Sequence, residues 1–301
     1  QYELCNEIKK KAKVVLAGAG ADEIFCGYGR IFDSTYDYQR AYKKKFFRSN
    51  KKYRSVFMKN FKLKYNNQNF SKYSEHLNFL YQYVSSDEKR KMLNNDLDLN
   101  NYDKNALHFF DKTLDKINKD DYLQKIQYFF NKVHLQGILL RDDNSSMAGS
   151  IELRVPFLDH KIVEFAAQIP DKYKIKWTTN SKKIRMCMIS DSISENYDIP
   201  KYILRKSFDK ILPKKIINRK KIGFPVPMHQ LINKKKLNFI KEIIFDEKIK
   251  KHRLFNFDYV SKMIDNEKIN NFSKGAAVYQ KSNANKIWMI LNISLFLEKY
   301  L

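Results

Sequence analysis

The sequence predicts a mostly helical α/β protein whose parallel sheet is incomplete within this chain. Three features support this class. Val14–Leu16 is a short, β-branched run that enters a glycine turn and then a helix beginning at Ala21. No glycine or proline occurs over residues 31–136, and apolar residues recur there at helical spacing. Residues 284–300 have the pattern of an amphipathic helix.

A strand of a parallel sheet needs neighbouring strands, and no second run predicts one with equal clarity. We therefore expect the neighbours of the Val14–Leu16 strand to come from upstream sequence. Gln1 also stands where a primary translation product would carry methionine. Both observations predict that this chain is an amino-terminally truncated part of a longer domain.

The organisation that we predict is one partial domain over residues 1–301. Its regions are a strand-turn-helix (1–30), a helical region (31–136), a motif-bearing region (137–230) and carboxyl-terminal helices (231–301). In the last helix, the side chains expected to be available for burial are Ile287, Ile290, Leu291 and Phe296.

Composition excludes several classes of protein. The three cysteines, Cys5, Cys26 and Cys187, are odd in number and lack metal-site spacing, which predicts a reducing, cytoplasmic location. No apolar run reaches the roughly 18 residues of a membrane span. The net charge of +25 would suit binding to the phosphate backbone of a nucleic acid. Lysine, however, vastly outnumbers arginine, and the Asn-, Ile-, Tyr- and Phe-rich composition reflects A- and T-rich codons, so no specific nucleic-acid partner is expected.

The first informative segment runs from the strand through a small-residue turn into a helix. Gly18 and Gly20 allow backbone N–H groups to surround a cavity that suits phosphate or pyrophosphate. Asp22 and Glu23 lie in the first helical turn, where the helix dipole favours acids whatever their function, so a plain helix start is the alternative. The functional interpretation gives Asp22 a magnesium ion beside the phosphates, since hard oxygen ligands suit that metal.

The second segment alternates apolar and charged residues over Ile151–Val155. In an extended chain, Glu152 and Arg154 would share one face, where they could pair or both contact a ligand. Asp159 is well placed to cap a helix that begins near Lys161, and we favour this role over a functional one.

The third segment is basic and ends in a glycine and two prolines, Gly223, Pro225 and Pro227. A basic run is usually a solvated face. A loop with this ending could instead hold one lysine over a phosphate as a fixed charge, which stabilises charge in phosphoryl and adenylyl transfer.

In order and separation, the three segments resemble the glutamine-hydrolysing asparagine synthetase family over nearly the whole chain. The family has Ser-Gly-Glu-Gly-(Ala/Ser)-Asp-Glu after a strand, then Ser-Met-Ala leading to Glu-x-Arg-x-Pro-Phe-Leu-Asp, then Arg-x-Lys-x-x-Phe. These match Ala17–Glu23, Ser146–Asp159 and Arg219–Phe224. The resemblance implies an adenine nucleotide α-hydrolase-like fold, the carboxyl-terminal synthetase domain. It also implies ATP-dependent amidation of aspartate through an aspartyl-adenylate, with glutamine-derived ammonia.

The resemblance carries site residues by position. Asp22 would serve magnesium-pyrophosphate, and Lys221 would neutralise charge on the reacting phosphate. Glu152, Arg154 and Asp159 match the motif and are expected to be architectural. The positions that the resemblance assigns to binding of ATP are Ala17, Gly18, Gly20, Asp22 and Glu23.

Two departures concern catalysis. The family's glutamate between the two glycines is Ala19 here, which removes a carboxylate, and a serine has become Ala17. Residues 1–301 contain neither the family's Ser-Gly-Gly-x-Asp-Ser pyrophosphate loop nor a glutaminase domain. We expect a missing amino-terminal segment or glutaminase partner, and the sequence leaves a homodimer open. Two alternatives also stay open: a related amidotransferase that acts on another carboxylate, and a non-catalytic remnant.

Overall fold

Two short strands that lie far apart in the sequence pair in parallel: β1 (Val14–Leu16) and β2 (Glu152–Arg154). The Ala17 N–H extends the ladder by donating to the Arg154 carbonyl at 2.8 Å. The expectation that the neighbours of β1 lie upstream is wrong for this pair, because β2 belongs to the same chain. The side chains of Arg154 and Glu152 form an ion pair at 2.8 Å on the strand's exposed face, as the alternation allowed.

A second pair of strands is antiparallel and consists of β3 (Ile175–Trp177) and β4 (Asp198–Pro200). Helices account for most of the remaining described residues. The predicted class, a mostly helical α/β protein with a small parallel sheet, is confirmed.

The structure is a computed structural model that describes residues 1–43, 50–118, 120–221, 232, 234–265 and 283–301. The chain divides into two compact units, the first formed by 1–80 and 109–221 and the second by 81–108 and 222–301. No described helix is both long and apolar enough to cross a membrane. The described helices are, in chain order, α1 (Tyr2–Ile8), α2 (Ala21–Ile24), α3 (Gly29–Tyr42), α4 (Lys51–Lys64), α5 (Tyr73–Tyr81), α6 (Ser86–Met92), α7 (Leu99–Leu114), α8 (Tyr122–Phe129), a π-helical segment (Phe130–His134), α9 (Leu135–Ala148), a 3-10 turn (Pro156–Leu158), α10 (His160–Gln168), α11 (Asp171–Lys174), α12 (Lys182–Cys187), α13 (Ser190–Ile193), α14 (Tyr202–Ser207), α15 (Lys214–Ile217), α16 (Lys234–Ile244), α17 (Glu247–Lys251), α18 (Phe257–Asp265) and α19 (Asn283–Tyr300).

Polar side chains fix several helix starts. Asn50 accepts a hydrogen bond from the Tyr53 N–H at the start of α4, and Asp121 accepts two from the first turn of α8. Asp159 caps α10 by accepting from the Lys161 N–H at 2.9 Å. Such caps satisfy backbone donors that have no partner within the helix. The capping role predicted for Asp159 is therefore present in the fold.

Aromatic residues fill the interior of the first unit between α3, α4, α5 and α8. Phe61 and Tyr65 lie 4.4 Å apart between ring centroids, and Tyr65 contacts His76 at 5.1 Å. His76 Nδ1 lies 2.6 Å from the Tyr122 hydroxyl, and both residues are fully buried. Burial lowers the pKa of His76 to about 3, so its imidazole is neutral and acts as an ordinary core group.

A buried ionic cluster connects α3, α4 and α13. The carboxylate of Asp37 is fully buried and pairs with Arg40 at 2.7 Å and with Lys64 at 3.2 Å. It also accepts hydrogen bonds from the Tyr65 hydroxyl and from the N–H and hydroxyl of Ser190. Burial raises the pKa of Asp37, but Lys64, Arg40 and Ser190 outweigh burial and hold the pKa below its usual value.

Residues 31–136 are not helical throughout, although most of their described residues are. Non-helical connections separate the helices, for example between α4 and α5 and between α6 and α7. Asn66 and Asn67 adopt φ values of 51° and 58°, in the left-handed region that asparagine tolerates better than most residues. The prediction took the absence of glycine and proline as a sign of continuous helix. Asn66 and Asn67 instead provide the backbone conformation that glycine usually provides in a connection.

In the second unit, α19 packs its apolar residues against α16, α17 and α18. Ile287, Ile290 and Leu291 are buried, as predicted. The prediction for Phe296 is wrong, since 56% of its surface is exposed, whereas Leu297 is only 8% exposed. Leu297 lies two helical turns after Ile290 and therefore shares its face.

We predict that Asp37→Ala lowers the free energy of unfolding by about 3–5 kcal/mol, because it leaves the Arg40 charge buried without a carboxylate and leaves Lys64 paired only with Asp191. Urea unfolding of the two proteins measures the difference. Since the pKa of Asp37 is lowered in the folded state, its contribution is present above the unfolded pKa and is lost as the pH falls through the folded pKa.

Asp111→Ala is the matched control. Asp111 pairs with Lys72 at 3.2 Å, and both side chains are substantially exposed. Its removal should cost less than about 1 kcal/mol. Equal costs for the two substitutions would contradict the role given to Asp37.

Candidate active site

The turn after β1 brings backbone groups to the start of α2. Gly20 caps this helix with a φ of 90°, a conformation that favours glycine. A β-carbon at position 20 would also lie only 2.6 Å from Leu158 Cγ. Ala17 and Ala19 are partly exposed, and Gly18 is exposed with open space beside it. The turn is therefore accessible from one side and closely packed at Gly20.

Asp22, in the first turn of α2, faces two lysines that are distant in sequence. Its Oδ1 lies 2.9 Å from Lys221 Nζ and 3.0 Å from Lys201 Nζ. All three side chains are about a quarter exposed. The structure thus brings together Asp22 and Lys221, the two residues to which the resemblance assigns the phosphate chemistry.

The electrostatics of this cluster favour an ionised carboxylate. Burial raises the pKa of Asp22, but the positive charges of Lys201 and Lys221 outweigh burial and keep the pKa below its usual value. One carboxylate with two ammonium groups leaves a net positive charge at the start of a helix. Such a site attracts anions.

Lys221 is held by groups at both of its ends. Its backbone N–H donates to Glu195 Oε2 at 2.8 Å. Its ammonium group lies 4.1 Å from the centre of the Tyr28 ring and donates to the Gly27 carbonyl at 3.4 Å. A cation over an aromatic face is held electrostatically without being neutralised. Phe224, Gly223, Pro225 and Pro227, which complete the predicted motif, lie outside the described residues.

Lys201 is the site residue that sequence reasoning missed. It directly follows β4 and caps α14 with a φ of 53°, in the left-handed region. The sequence places it at the start of the third segment, after Pro200, but nothing there distinguishes it from the many other lysines. The place of Lys201 beside Asp22 depends on where β4 lies, and the position of β4 is set by its antiparallel pairing with β3.

Glu23 lies apart from the cluster, although the sequence groups it with Asp22. Its side chain is buried, and its Oε1 accepts a hydrogen bond from the Tyr28 hydroxyl at 2.6 Å. Burial, followed by the carboxylate of Glu23, raises the pKa of Tyr28, so the phenol keeps its proton and donates it. In this conformation Glu23 supports the ring on which Lys221 rests, and its assignment to nucleotide binding stays a prediction.

The carboxyl end of α2 is fixed by a buried lysine acting through a glutamine. Gln127 Nε2 donates to the carbonyls of Glu23 and Ile24. Lys174, which is 1% exposed, donates from Nζ to Gln127 Oε1 at 2.8 Å. Gln127 satisfies carbonyls that a four-residue helix cannot satisfy itself, and Lys174 orients the Gln127 amide. They hold the helix that carries Asp22 in place.

A cavity of about 340 Å³ opens between β4, α14 and α15. Its lining includes Lys206, Arg219 and Lys220 together with Glu195 and Asp198. Glu195 contacts Lys221, so this basic cavity adjoins the strand and turn that carry the two site lysines.

The donor set limits what metal could bind. No group of three or more His, Cys, Asp or Glu residues suited to a metal ion occurs among the described residues. Asp22 alone, with two ammonium groups beside it, is not a protein cage for magnesium. It does fit an ion that takes most of its ligands from phosphate oxygens and water, as magnesium usually does beside nucleotides.

The fold and the cluster define an α/β protein that has one carboxylate and two lysines beside the turn at the carboxyl end of a strand. Residues 1–298 match the family model described as asparagine synthase, and the chain belongs to that family.

Relatives in the same family extend over much of the chain. "Asparagine synthetase [glutamine-hydrolyzing] 1" of Bacillus subtilis is 31% identical over 170 residues, which is 56% of this chain and 22% of the relative. "Asparagine synthetase [glutamine-hydrolyzing] 3" of the same organism is 27% identical over 264 residues, which is 87% of this chain and 34% of the relative. A putative asparagine synthetase of Methanocaldococcus jannaschii is 47% identical over 58 residues, 19% of this chain and 10% of the relative. The chain thus spans about a third or less of the length of these relatives.

We predict that Gly27→Ala destabilises the protein by about 1–3 kcal/mol through overpacking. A β-carbon at position 27 would lie 2.7 Å from Asp22 Cγ and 2.9 Å from Asp22 Cα, so the helix start must move. Gly137→Ala is the control, since position 137 lies within α9 and has open space around it. This substitution should stabilise the protein by about 0.5–1 kcal/mol. Thermal unfolding of both variants distinguishes the two outcomes, and a neutral Gly27→Ala would show that the contact with Asp22 is loose.

Proposed function

We propose that this chain forms part of an ATP-dependent ligase that converts aspartate to asparagine through an aspartyl-adenylate, with ammonia derived from glutamine. The observation that carries the proposal is the cluster of Asp22, Lys201 and Lys221 at the turn that matches the family's nucleotide motif. Membership of the asparagine synthase family supports this type of reaction. The names of the Bacillus subtilis relatives support glutamine as the source of nitrogen.

Each residue of the cluster has a distinct task in this proposal. The turn over Ala17, Gly18 and Gly20 would contact the nucleotide through its backbone, and Asp22 would orient a magnesium ion held mainly by phosphate oxygens. Bound ATP supplies the adenylyl group that activates the carboxylate of aspartate. Lys221 and Lys201 would approach the phosphates as fixed positive charges. They would leave Asp22, because the phosphates carry more negative charge than one carboxylate.

Charge placement favours leaving-group stabilisation by the two lysines. Pyrophosphate gains negative charge as its bond to the adenylyl group breaks, and cations already in position stabilise that charge without reorganisation. Tyr28 and Glu195 fix Lys221 from two directions, and the backbone conformation at Lys201 fixes the base of the second side chain. The domain organisation predicted for residues 1–301 is also part of this proposal. So is the amino-terminal segment or glutaminase partner that the resemblance leads us to expect.

A non-catalytic remnant is the second candidate, and Ala19 is the observation that favours it. The residue is a partly exposed methyl group at the position where the family carries a glutamate. Without that carboxylate, position 19 can neither accept a proton nor place negative charge near the reacting atoms. Under this alternative the cluster would still bind polyphosphate.

We predict that the protein, purified intact from its source, exchanges labelled pyrophosphate into ATP when aspartate is present. Lys221→Ala and Lys201→Ala should each lower the exchange by about 10²-fold or more, since each removes a charge positioned for the transition state. Lys215→Ala is the matched control, because Lys215 is an exposed lysine of the same basic segment that neither pairs with Asp22 nor lines the cavity, and it should change exchange by less than about threefold.

A panel of other acids tests the acceptor in the same assay. Exchange that depends on an acid other than aspartate would replace aspartate in the proposal and favour the related amidotransferase. Absence of exchange with every acid, with pyrophosphate binding retained, would favour the remnant.

We further predict that Ala19→Glu raises the exchange rate by about 10²-fold or more, the usual contribution of a positioned acid or base. Ala19→Gln has similar size but no charge and serves as the control. If neither variant raises the rate, or if both raise it equally, the missing carboxylate at position 19 is not what limits the reaction.

A further inference from the structure

Two buried carboxyl groups meet behind the lysines of the site. Asp33, on α3, is 7% exposed, and Asp198, the first residue of β4, is 4% exposed. Their side chains lie within hydrogen-bonding distance of each other. Among the described residues, the buried Oδ2 atoms of both have no hydrogen-bond donor. Two carboxylates cannot supply a donor to each other, so the contact requires a proton.

We infer that Asp33 and Asp198 share one proton, and that this protonated pair is a positioning device that holds β4 and its lysine against α3. The inference rests on the phosphate-binding role proposed above for Lys201 and Lys221. In this pair Asp33 would be the donor and a carboxylate oxygen of Asp198 the acceptor.

The pair is connected to both lysines through the backbone. Asp198 Oδ1 accepts from the Glu195 N–H at 2.8 Å, and Glu195 Oε2 accepts from the Lys221 N–H at 2.8 Å. In the other direction, Lys201 comes three residues after Asp198, at the end of β4. Glu195 itself has a φ of 62°, a conformation that costs free energy and needs support from its surroundings. The hydrogen bond to Asp198 provides such support.

The charges around the pair agree with a proton on Asp33. Burial raises the pKa of Asp33 well above its usual value, and Asp198 and Asp37 raise it further, while Lys64 on α4 opposes them. Burial also raises the pKa of Asp198, with Glu195 adding to the rise, while the hydrogen bonds from Asp33 and from the Glu195 N–H lower it. Asp33 thus holds the proton, and the carboxylate of Asp198 accepts from two sides.

The sign of the pH dependence follows from this assignment. A group whose pKa is higher in the folded than in the unfolded protein contributes stability that is complete below the unfolded pKa and is lost as the pH rises through the folded pKa. Above that pH the proton leaves to solvent, two negative charges face each other in the interior, and β4 loses its attachment to α3. The lysines would then lose their common position at Asp22.

The variant Asp33→Asn tests this directly, because its amide Nδ2 can donate to Asp198 permanently and no proton is needed. Asp33→Ala removes the donor and should weaken binding of pyrophosphate by about tenfold or more. Calorimetric titration with magnesium and pyrophosphate, at a series of pH values from neutral to alkaline, compares the proteins as the pH rises through the ionisation of the pair. The ratio of wild-type to Asp33→Asn affinity cancels the titration of pyrophosphate itself.

The expected result is a ratio that falls about threefold or more as the pH rises, because only the wild-type pair can ionise. Infrared spectra at neutral pH should show a protonated-carboxyl band in the wild type that Asp33→Asn lacks. Asp265→Asn, on an exposed carboxylate paired with Lys241, is the control and should leave both the band and the ratio unchanged. A constant ratio, or a band that Asp33→Asn retains, would overturn the inference.

A third outcome separates this inference from the proposed function. If pyrophosphate binds to none of these proteins, the phosphate-binding role of the lysines fails. The infrared band and the pH dependence of thermal unfolding then decide the proton-sharing pair alone: a band missing from Asp33→Asn, with a flatter alkaline limb of its stability curve, supports it, and identical behaviour refutes it.

Discussion

The first unit depends on one buried carboxylate, Asp37, and on the cations and donors that surround it. Removing charged groups from water is costly, so such a cluster is stable only in the arrangement that satisfies all of its members. That arrangement connects α3, which follows the glycine turn, to α13, which leads through Glu195 into β4. The distance between Asp22 and Lys201 therefore depends on the interactions that neutralise the carboxylate of Asp37.

Local patterns in the sequence predicted the elements that depend on local interactions. The strand at Val14–Leu16, the helix start at Ala21 and the cap at Asp159 each follow from neighbouring residues, and each is present. Among the site residues, Asp22 and Lys221 stand out because they lie in segments with unusual glycine and proline content. The structure brings them together, while their roles remain predictions.

Long-range pairing defined what the sequence could not. The residues of β2 alternate apolar and charged side chains, but nothing local indicated that they would pair with β1, more than a hundred residues earlier. Lys201 is one lysine among many until β4 is paired with β3. The Asp33–Asp198 contact likewise joins two aspartates of which neither has a distinctive neighbour in sequence. The cluster of Asp22, Lys201 and Lys221 is present although position 19 has no carboxylate.

The π-helical segment between α8 and α9 determines which face of α9 meets the rest of the first unit. Two consecutive residues, Phe129 and Phe130, are both buried there, which the wider turn allows. Each residue in an α-helix advances the side-chain direction by about 100°. Because a π-helical turn holds one residue more than the α-helical turn that it replaces, the segment accommodates that residue without the rotation, and α9 and the following β2 keep their direction relative to α8. Deletion of one residue should therefore be tolerated better within residues 130–134, which can return to α-helical spacing, than within α8 or α9 themselves.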